Sequence, residues 1–371
     1  MRIGLPQEVK NHEYRVGLTP ASVRELTGRG HTVLVQSGAG ASIGLSDKLY
    51  EAAGAIPTPD VATVFAESDL IVKVKEPQPQ EYAMLRGGQI LYTYLHLAPD
   101  LEQTKALVAS GAVCIAYETI TGMGGGLPLL APMSEVAGRM AVQAGATHLE
   151  KSKGGMGVLL GGVPGVAAAH VVILGAGVVG TNALQVAIGM GARVTVLDKN
   201  VDRLRQLDLV FGNRIHTLYS NKQNVEESVL DAELVIGGVL IPGAAAPKLV
   251  TRKMIGAMKK GAVVVDVAID QGGCFESSHP TTHADPTFVV DGVVHYCVAN
   301  MPGAVPRTST FALNNATIGH AIALADKGWK KALRDDPHLM HGLNVAEGKV
   351  TYEAVATALG YDYTPATDLL N

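Results

Sequence analysis

With 371 residues, 47% of them hydrophobic and 17% charged, and a mean hydropathy of +0.21, the chain carries apolar surface enough for packing and is too long for a single core, so two domains are expected and disorder is excluded. Lys+Arg number 30 against 34 Asp+Glu, a net charge of -4, and no basic run exceeds Lys330-Lys331, which argues against nucleic acid as a partner. Cys114, Cys274 and Cys297 are widely spaced and form no CxxC pair, so they read as reduced, buried thiols and not as a zinc or redox site.

The start, MRIGLPQEVKNHEYR, turns polar within a few residues and has no apolar core of the secretory type, so a cytoplasmic location is expected. Short β-branched runs at 32–36, 70–74, 90–94 and 112–117 alternate with helix-length segments at 47–53 and 101–109, the rhythm of a parallel α/β sheet. Segment 134–149, SEVAGRMAVQAGATHL, predicts a helix with Ser134 as N-cap that leaves the first domain. Residues 156–180 are apolar enough to suggest a membrane span, but glycines, Pro164 and His170 interrupt them, and no membrane association is expected. A second strand series follows at 170–174, 192–197, 216–219, 234–236, 262–266 and 293–297, enough for one doubly wound sheet. A single helix over 311–334 is expected to return to the first domain. Fold class is therefore α/β, with a Rossmann-type dinucleotide-binding domain (134–305) inserted into a second α/β domain for substrate (1–133 and 306–371).

The strongest local motif is Gly175-Ala176-Gly177-Val178-Val179-Gly180, directly after the apolar run HVVIL and directly before an amphipathic stretch. Gly175 suits a tight turn, Gly177 lets the backbone approach a pyrophosphate, and Gly180 permits close packing of helix on strand. The helix N-terminus then faces phosphate charge. Asp198 ends the next strand at the position of a ribose-binding acid; it repels a 2′-phosphate and so favours NAD over NADP, a preference that Lys199 and Arg203 temper. A glycine-rich turn followed by a solvated Asp is the competing reading. It is weaker because strand, turn, helix and acid coincide.

Periodicity and spacing do not identify the substrate. Six segments do: GLPQEVKNHEYRVGLTP (4–20), VKVKEPQPQEY (72–82), LYTYLHLAPD (91–100), APMSEVAGRMA (131–141), VVVDVAIDQGGC (264–274) and VANMPGAVPRTST (298–310). Together they resemble the alanine dehydrogenase and pyridine nucleotide transhydrogenase family over nearly the whole chain. The resemblance implies NAD-dependent, reversible oxidative deamination of L-alanine to pyruvate and ammonium. It places Arg15 on the substrate carboxylate, where a planar guanidinium donates two parallel hydrogen bonds, and Lys75 on the carboxylate or carbonyl oxygen. His96 becomes the acid/base and Asp270 the second catalytic position, beside the nicotinamide. Further cofactor contacts implied are Ser134, Val178, Val179, Arg203, Ser220, Val239, Leu240, Val267, Ala268, Ile269, Val298, Ala299, Asn300 and Met301. Glu118 and 122–126 stand near the expected domain boundary as hinge candidates.

Two rival readings share the scaffold: a transhydrogenase subunit that passes hydride to NADP on a partner, and a noncatalytic nucleotide sensor. The first needs no carboxylate-binding residues and the second predicts a lost catalytic one, whereas Arg15, Lys75, His96 and Asp270 are all present. The resemblance also implies a homohexamer. No catalytic metal is expected, since a cationic ammonium such as Lys327 cannot be a ligand.

Overall fold

The computed structural model describes residues 1–239 and 246–370, which divide into two compact units: Met1–Met133 with Val305–Asn371, and Ser134–Ala304. In chain order the strands of the first unit are β1 (Arg2–Leu5), β2 (Thr32–Gln36), β3 (Ile56–Thr58), β4 (Leu70–Val72), β5 (Ile90–Thr93) and β6 (Val113–Ala116). Those of the second are β7 (His170–Leu174), β8 (Arg193–Asp198), β9 (His216–Tyr219), β10 (Leu234–Gly237), β11 (Val263–Asp266), β12 (Thr287–Val290) and β13 (Val293–Tyr296). The chain then returns to the first unit with β14 (Leu343–Ala346) and β15 (Lys349–Val350).

The first unit is one eight-stranded sheet in the order β15-β14-β6-β5-β4-β1-β2-β3. Strands β1 to β6 pair in parallel, and β14 runs antiparallel to β6. Parallel strands covered on both faces read as continuous apolar runs, and β4, β5 and β6 are buried at every position. One face packs Val64, Phe65, Leu91, Leu107, Cys114 and Val345 into a common core. Local chemistry sets the helices between strands. Thr19 caps Pro20–Gly28, with Pro20 in its first turn, and Asp100 caps Leu101–Ser110, which stops at Gly111 in the left-handed conformation.

The second unit has the strand order β12-β13-β11-β10-β7-β8-β9. From β9 inward to β13 this is the 3-2-1-4-5-6 order of a dinucleotide-binding fold, with β12 added antiparallel at the edge. Its core gathers Val172, Leu174, Val229, Val235, Ile255, Val264 and Phe275. The chain is thus a two-domain α/β protein with a Rossmann-like second unit.

Strands β1, β3, β12, β14 and β15 have no counterpart among the sequence expectations; most are short, and β15 has two residues. The helix expected to begin at a Ser134 cap starts earlier, at Ala131, and runs to His148. Pro132 explains the shift, since proline suits a first helical turn. The helix expected over 311–334 is two: Pro306–Lys327 and Trp329–Asp335, divided at Gly328, whose φ of 72° no L side chain readily adopts. The three cysteines are free and buried, as composition suggested. Among the described residues no helix is long and apolar enough to cross a membrane, and no group of three or more His, Cys, Asp or Glu is placed to hold a metal ion.

Candidate active site

Four adjacent parallel strands of the first unit, β1, β4, β5 and β6, carry the candidate chemistry just beyond their C-terminal ends, where open α/β sheets bind ligands. Arg15 lies on the loop after β1, Lys75 three residues past β4, His96 three past β5 and Glu118 two past β6. Sheet order therefore brings together residues that are far apart in sequence.

Arg15 is 2% exposed. Its Nε and Nη2 donate to the two oxygens of Glu13 at 2.7 and 2.6 Å, and Nη1 points at the Met133 sulfur at 3.0 Å. Burial alone would push the Glu13 carboxyl up, but the Arg15 hydrogen bonds and charge outweigh it and hold that carboxyl below its ordinary range. One edge of the guanidinium is thus fixed by a buried bidentate pair, so its plane is set by the protein. Lys75 is a different kind of cation. No hydrogen bond or ion pair within the described residues engages its ammonium. Burial pushes it down, the Glu76 carboxylate opposes that, and the Arg15 and Lys10 charges add to it. An ammonium held among cations and short of solvent favours a bound anion.

His96 follows a strand end in a backbone conformation rare for a side chain, with φ of 50°. The turn is held from outside. Glu118 accepts the His96 N–H at 2.6 Å and the Leu95 N–H at 3.2 Å, and its Oε1 lies 3.9 Å from His96 Nδ1. The imidazole stacks on Tyr94, with ring centroids 5.7 Å apart and planes 7° apart, while the Tyr94 hydroxyl donates to the Leu129 carbonyl at 2.6 Å. About half of the imidazole side chain stays exposed, as a proton-transfer group requires. Glu118, read from the sequence as a hinge candidate, has a definite local contact in the turn that carries His96. Its signal was not in the sequence, because a lone Glu after a strand looks like any other.

In the second unit the glycine fingerprint forms the turn from β7 into helix Val178–Gly189, with Gly177 as N-cap. Gly175 has φ of 99°, and a Cβ on Gly180 would stand 1.8 Å from the Gly175 carbonyl oxygen, so those two glycines are required by the protein's own packing. A Cβ on Gly177 would meet no atom within 4 Å. Asp198, at the end of β8, accepts the N–H of Ala176 at 2.7 Å and that of Asn200 at 2.8 Å. Arg203 turns towards the same loop, donating to the Ala176 carbonyl at 2.8 Å and the Thr181 hydroxyl at 2.7 Å. Ser220, buried, follows β9 and donates its N–H to the Asp198 carbonyl.

The remaining candidates sit at the C-terminal ends of neighbouring strands. Val239 follows β10 and packs partly on the core, and Leu240 lies outside the described residues. Val267, Ala268, Ile269 and Asp270 form a 3-10 turn straight after β11, with Ile269 buried and Asp270 exposed. Val298 and Met301 are buried after β13; Ala299 and Asn300 between them are half-buried, and Asn300 has φ of 63°. Ser134 lies within the first turns of helix Ala131–His148, half-buried. Lys327 pairs with Asp335 at 2.8 Å.

Comparison with known proteins agrees over the full length. Residues 4–137 match the family described as alanine dehydrogenase/PNT, N-terminal domain, and residues 141–353 match its C-terminal domain. The chain belongs to the alanine dehydrogenase/PNT family. Alanine dehydrogenase of Halomonas elongata is 62% identical over 370 residues, covering 100% of both chains, and that of Bacillus subtilis is 56% identical over 371, covering 100% of this chain and 98% of the relative. A solved L-alanine dehydrogenase superposes with a TM-score of 0.95 at 50% identity, covering 97% of this chain and 99% of that one. A transhydrogenase from Sinorhizobium meliloti, at 24% identity and a TM-score of 0.83 over 95% of this chain and all of its own, shares the fold.

Proposed function

We propose that the protein is an NAD-dependent dehydrogenase that interconverts L-alanine and water with pyruvate and ammonium. The observation that carries the substrate assignment is the pair of buried Arg15 and half-buried Lys75, two cations beyond neighbouring strand ends with His96 beyond the next. A 2-oxo acid has the matching chemistry: a carboxylate for the oriented guanidinium and a carbonyl oxygen for the ammonium. A neutral substrate would leave the Lys75 ammonium without a hydrogen-bonded anion.

For the cofactor, the fit is at Gly177, an N-cap glycine that no protein atom crowds and that leaves the backbone open to a close-lying group, where the N-terminus of Val178–Gly189 favours phosphate. The Asp198 carboxylate next to that turn favours a free ribose diol over a 2′-phosphate, which selects NAD. Bound NAD supplies the hydride acceptor for the alanine Cα. The chain's own residues do the rest. Arg15 fixes the carboxylate, Lys75 stabilises negative charge on the carbonyl oxygen, and His96 exchanges protons with the amine and with the attacking water as imine passes through carbinolamine to pyruvate. Asp270 takes the second proton-handling position. The other residues named above at the ends of β10, β11 and β13, with Ser134 and Ser220, make backbone and apolar contacts to the cofactor. The first unit acts as the substrate domain and the second as the NAD-binding domain.

We place this activity in the cytoplasm and in a homo-oligomer, a hexamer by family resemblance; a concentration-independent monomer in sedimentation would overturn the assembly. The activity itself is tested by NADH absorbance with pyruvate and ammonium, beside NADPH. Ammonium-dependent oxidation that favours NADH is the expected outcome, and NADH binding without turnover would overturn the reading.

A further inference from the structure

The first unit buries an ion triad that none of the roles above uses. Lys73 is fully buried, and its ammonium lies 3.2 Å from a Glu8 oxygen and 2.9 Å from a Glu81 oxygen, both carboxylates also buried. Burying three charges is costly, and apolar residues of similar volume commonly serve stability as well or better. Stability is therefore a weak reason for the triad.

Each carboxylate has a second contact. The other Glu8 oxygen accepts the N–H of Val74 at 2.7 Å, and the other Glu81 oxygen accepts the N–H of Gln78 at 2.7 Å. These two amides lie on either side of Lys75. Carbonyls of the same stretch are held as well: Tyr117 donates to the Lys73 carbonyl, just before the Val74 amide, at 2.9 Å, and between the two amides Thr93 donates to that of Lys75 at 2.9 Å and Gln78 to that of Glu76 at 3.0 Å. Past the end of β4 the backbone ladder to the β5 segment runs on only as far as Val74, through the Lys73 N–H to the Tyr92 carbonyl at 3.1 Å and the Tyr94 N–H to the Val74 carbonyl at 3.2 Å, and from Lys75 onward side chains take over that job.

We infer that Lys73 is a positioning residue: through Glu8 and Glu81 it clamps the backbone on both sides of Lys75 and so aims that ammonium at the substrate. The inference rests on the substrate role given to Lys75 above. Side chains of a binding constellation must be held closely, and a displacement of about 1 Å costs on the order of 100-fold in rate.

The test is the compensated variant Glu8→Leu/Lys73→Met/Glu81→Leu, which removes all three charges together and leaves none uncompensated. The expected result is a folded protein with unchanged KM for NADH and kcat/KM for pyruvate lower by about 100-fold. Amide exchange at Val74 and Gln78 is expected to accelerate, a readout that needs no activity and separates failure of the clamp from failure of the substrate reading. If the triple variant does not fold, Glu81→Gln decides, with an expected loss of about tenfold confined to pyruvate. A folded variant with unaltered kcat/KM for pyruvate, or one in which NADH and pyruvate parameters worsen equally, overturns the inference.

Discussion

The two units finish the C-terminal ends of their parallel strands with opposite materials. In the first unit the strand ends carry charge: Arg15, Lys75, His96 and Glu118 stand there, braced by Glu13, Tyr94 and the Lys73 triad. In the second unit the central turn is mostly backbone, three glycines and a helix N-terminus, with two side chains, Asp198 and Arg203, tying the loop together. The difference suits what each unit is proposed to recognise. A diphosphate is held well by main-chain N–H groups and a helix dipole, whereas a small oxo acid undergoing proton transfer needs side chains of defined charge.

Variants at the charged strand ends should therefore cost activity with little effect on nucleotide binding. The largest effect is expected for His96→Ala, with kcat for pyruvate amination falling by about 100-fold to 10,000-fold while NADH binding, followed by fluorescence titration, is retained. Loss of NADH binding as well would break the division of labour between the units. Arg15→Lys should raise the KM for pyruvate by roughly 10-fold to 150-fold, the worth of about 1.5–3 kcal/mol for hydrogen bonds to a charged group; an unchanged KM would remove Arg15 from the site.

The bare turn makes a sharper prediction, because its glycines are not equivalent. Gly180→Ala forces a Cβ against the Gly175 carbonyl oxygen and should destabilise the second unit by about 1–3 kcal/mol in urea unfolding, with NADH binding lost. Gly177→Ala meets no protein atom and should change stability by no more than about 0.5 kcal/mol while still weakening NADH. Equal effects at the two positions would mean that both glycines serve packing alone.

The smallest effect concerns acid. Glu13 has a folded carboxyl held below the unfolded value near 4.5, so the Glu13–Arg15 pair contributes stability that is fully present above that value and is lost as pH falls through the lower, folded one. Glu8 has the opposite sign: burial pushes its carboxyl up against the opposing charge of Lys73, so its folded form takes up a proton first and offsets part of the loss. Urea unfolding of Glu13→Gln between pH 6 and pH 3, both about the carboxylate range, should show a flatter pH dependence than the unaltered protein. A slope as steep as the original would show that the pair is not coupled to folding.

The two units also differ in how far they can be read without coordinates. The nucleotide turn was legible because its parts are contiguous: strand, three glycines, helix and the acid on the next strand follow one another in sequence, and each has a local physical reason. The strand rhythm of both sheets was legible for the same reason, since burial on both faces enforces apolar runs, as in β7 and β11. Strands β3 and β15, of three and two residues, are too short to establish a period, whereas β1, β12 and β14 are as long as strands that the sequence does reveal.

What the chain determined by itself, then, is its class, its two-unit scale and its nucleotide fingerprint, all set by composition and by neighbours within a few residues. Resemblance supplied the names of Arg15, Lys75, His96 and Asp270, but not why they sit where they do. Only the tertiary structure decided that. Glu8 reaches Val74 across 66 positions, and Glu118 holds the turn of His96 across 22, because strand order makes neighbours of segments that sequence keeps apart. A buried carboxylate has no local signature: its meaning depends on which amide and which cation the sheet brings within hydrogen-bond reach, and that is a property of the fold.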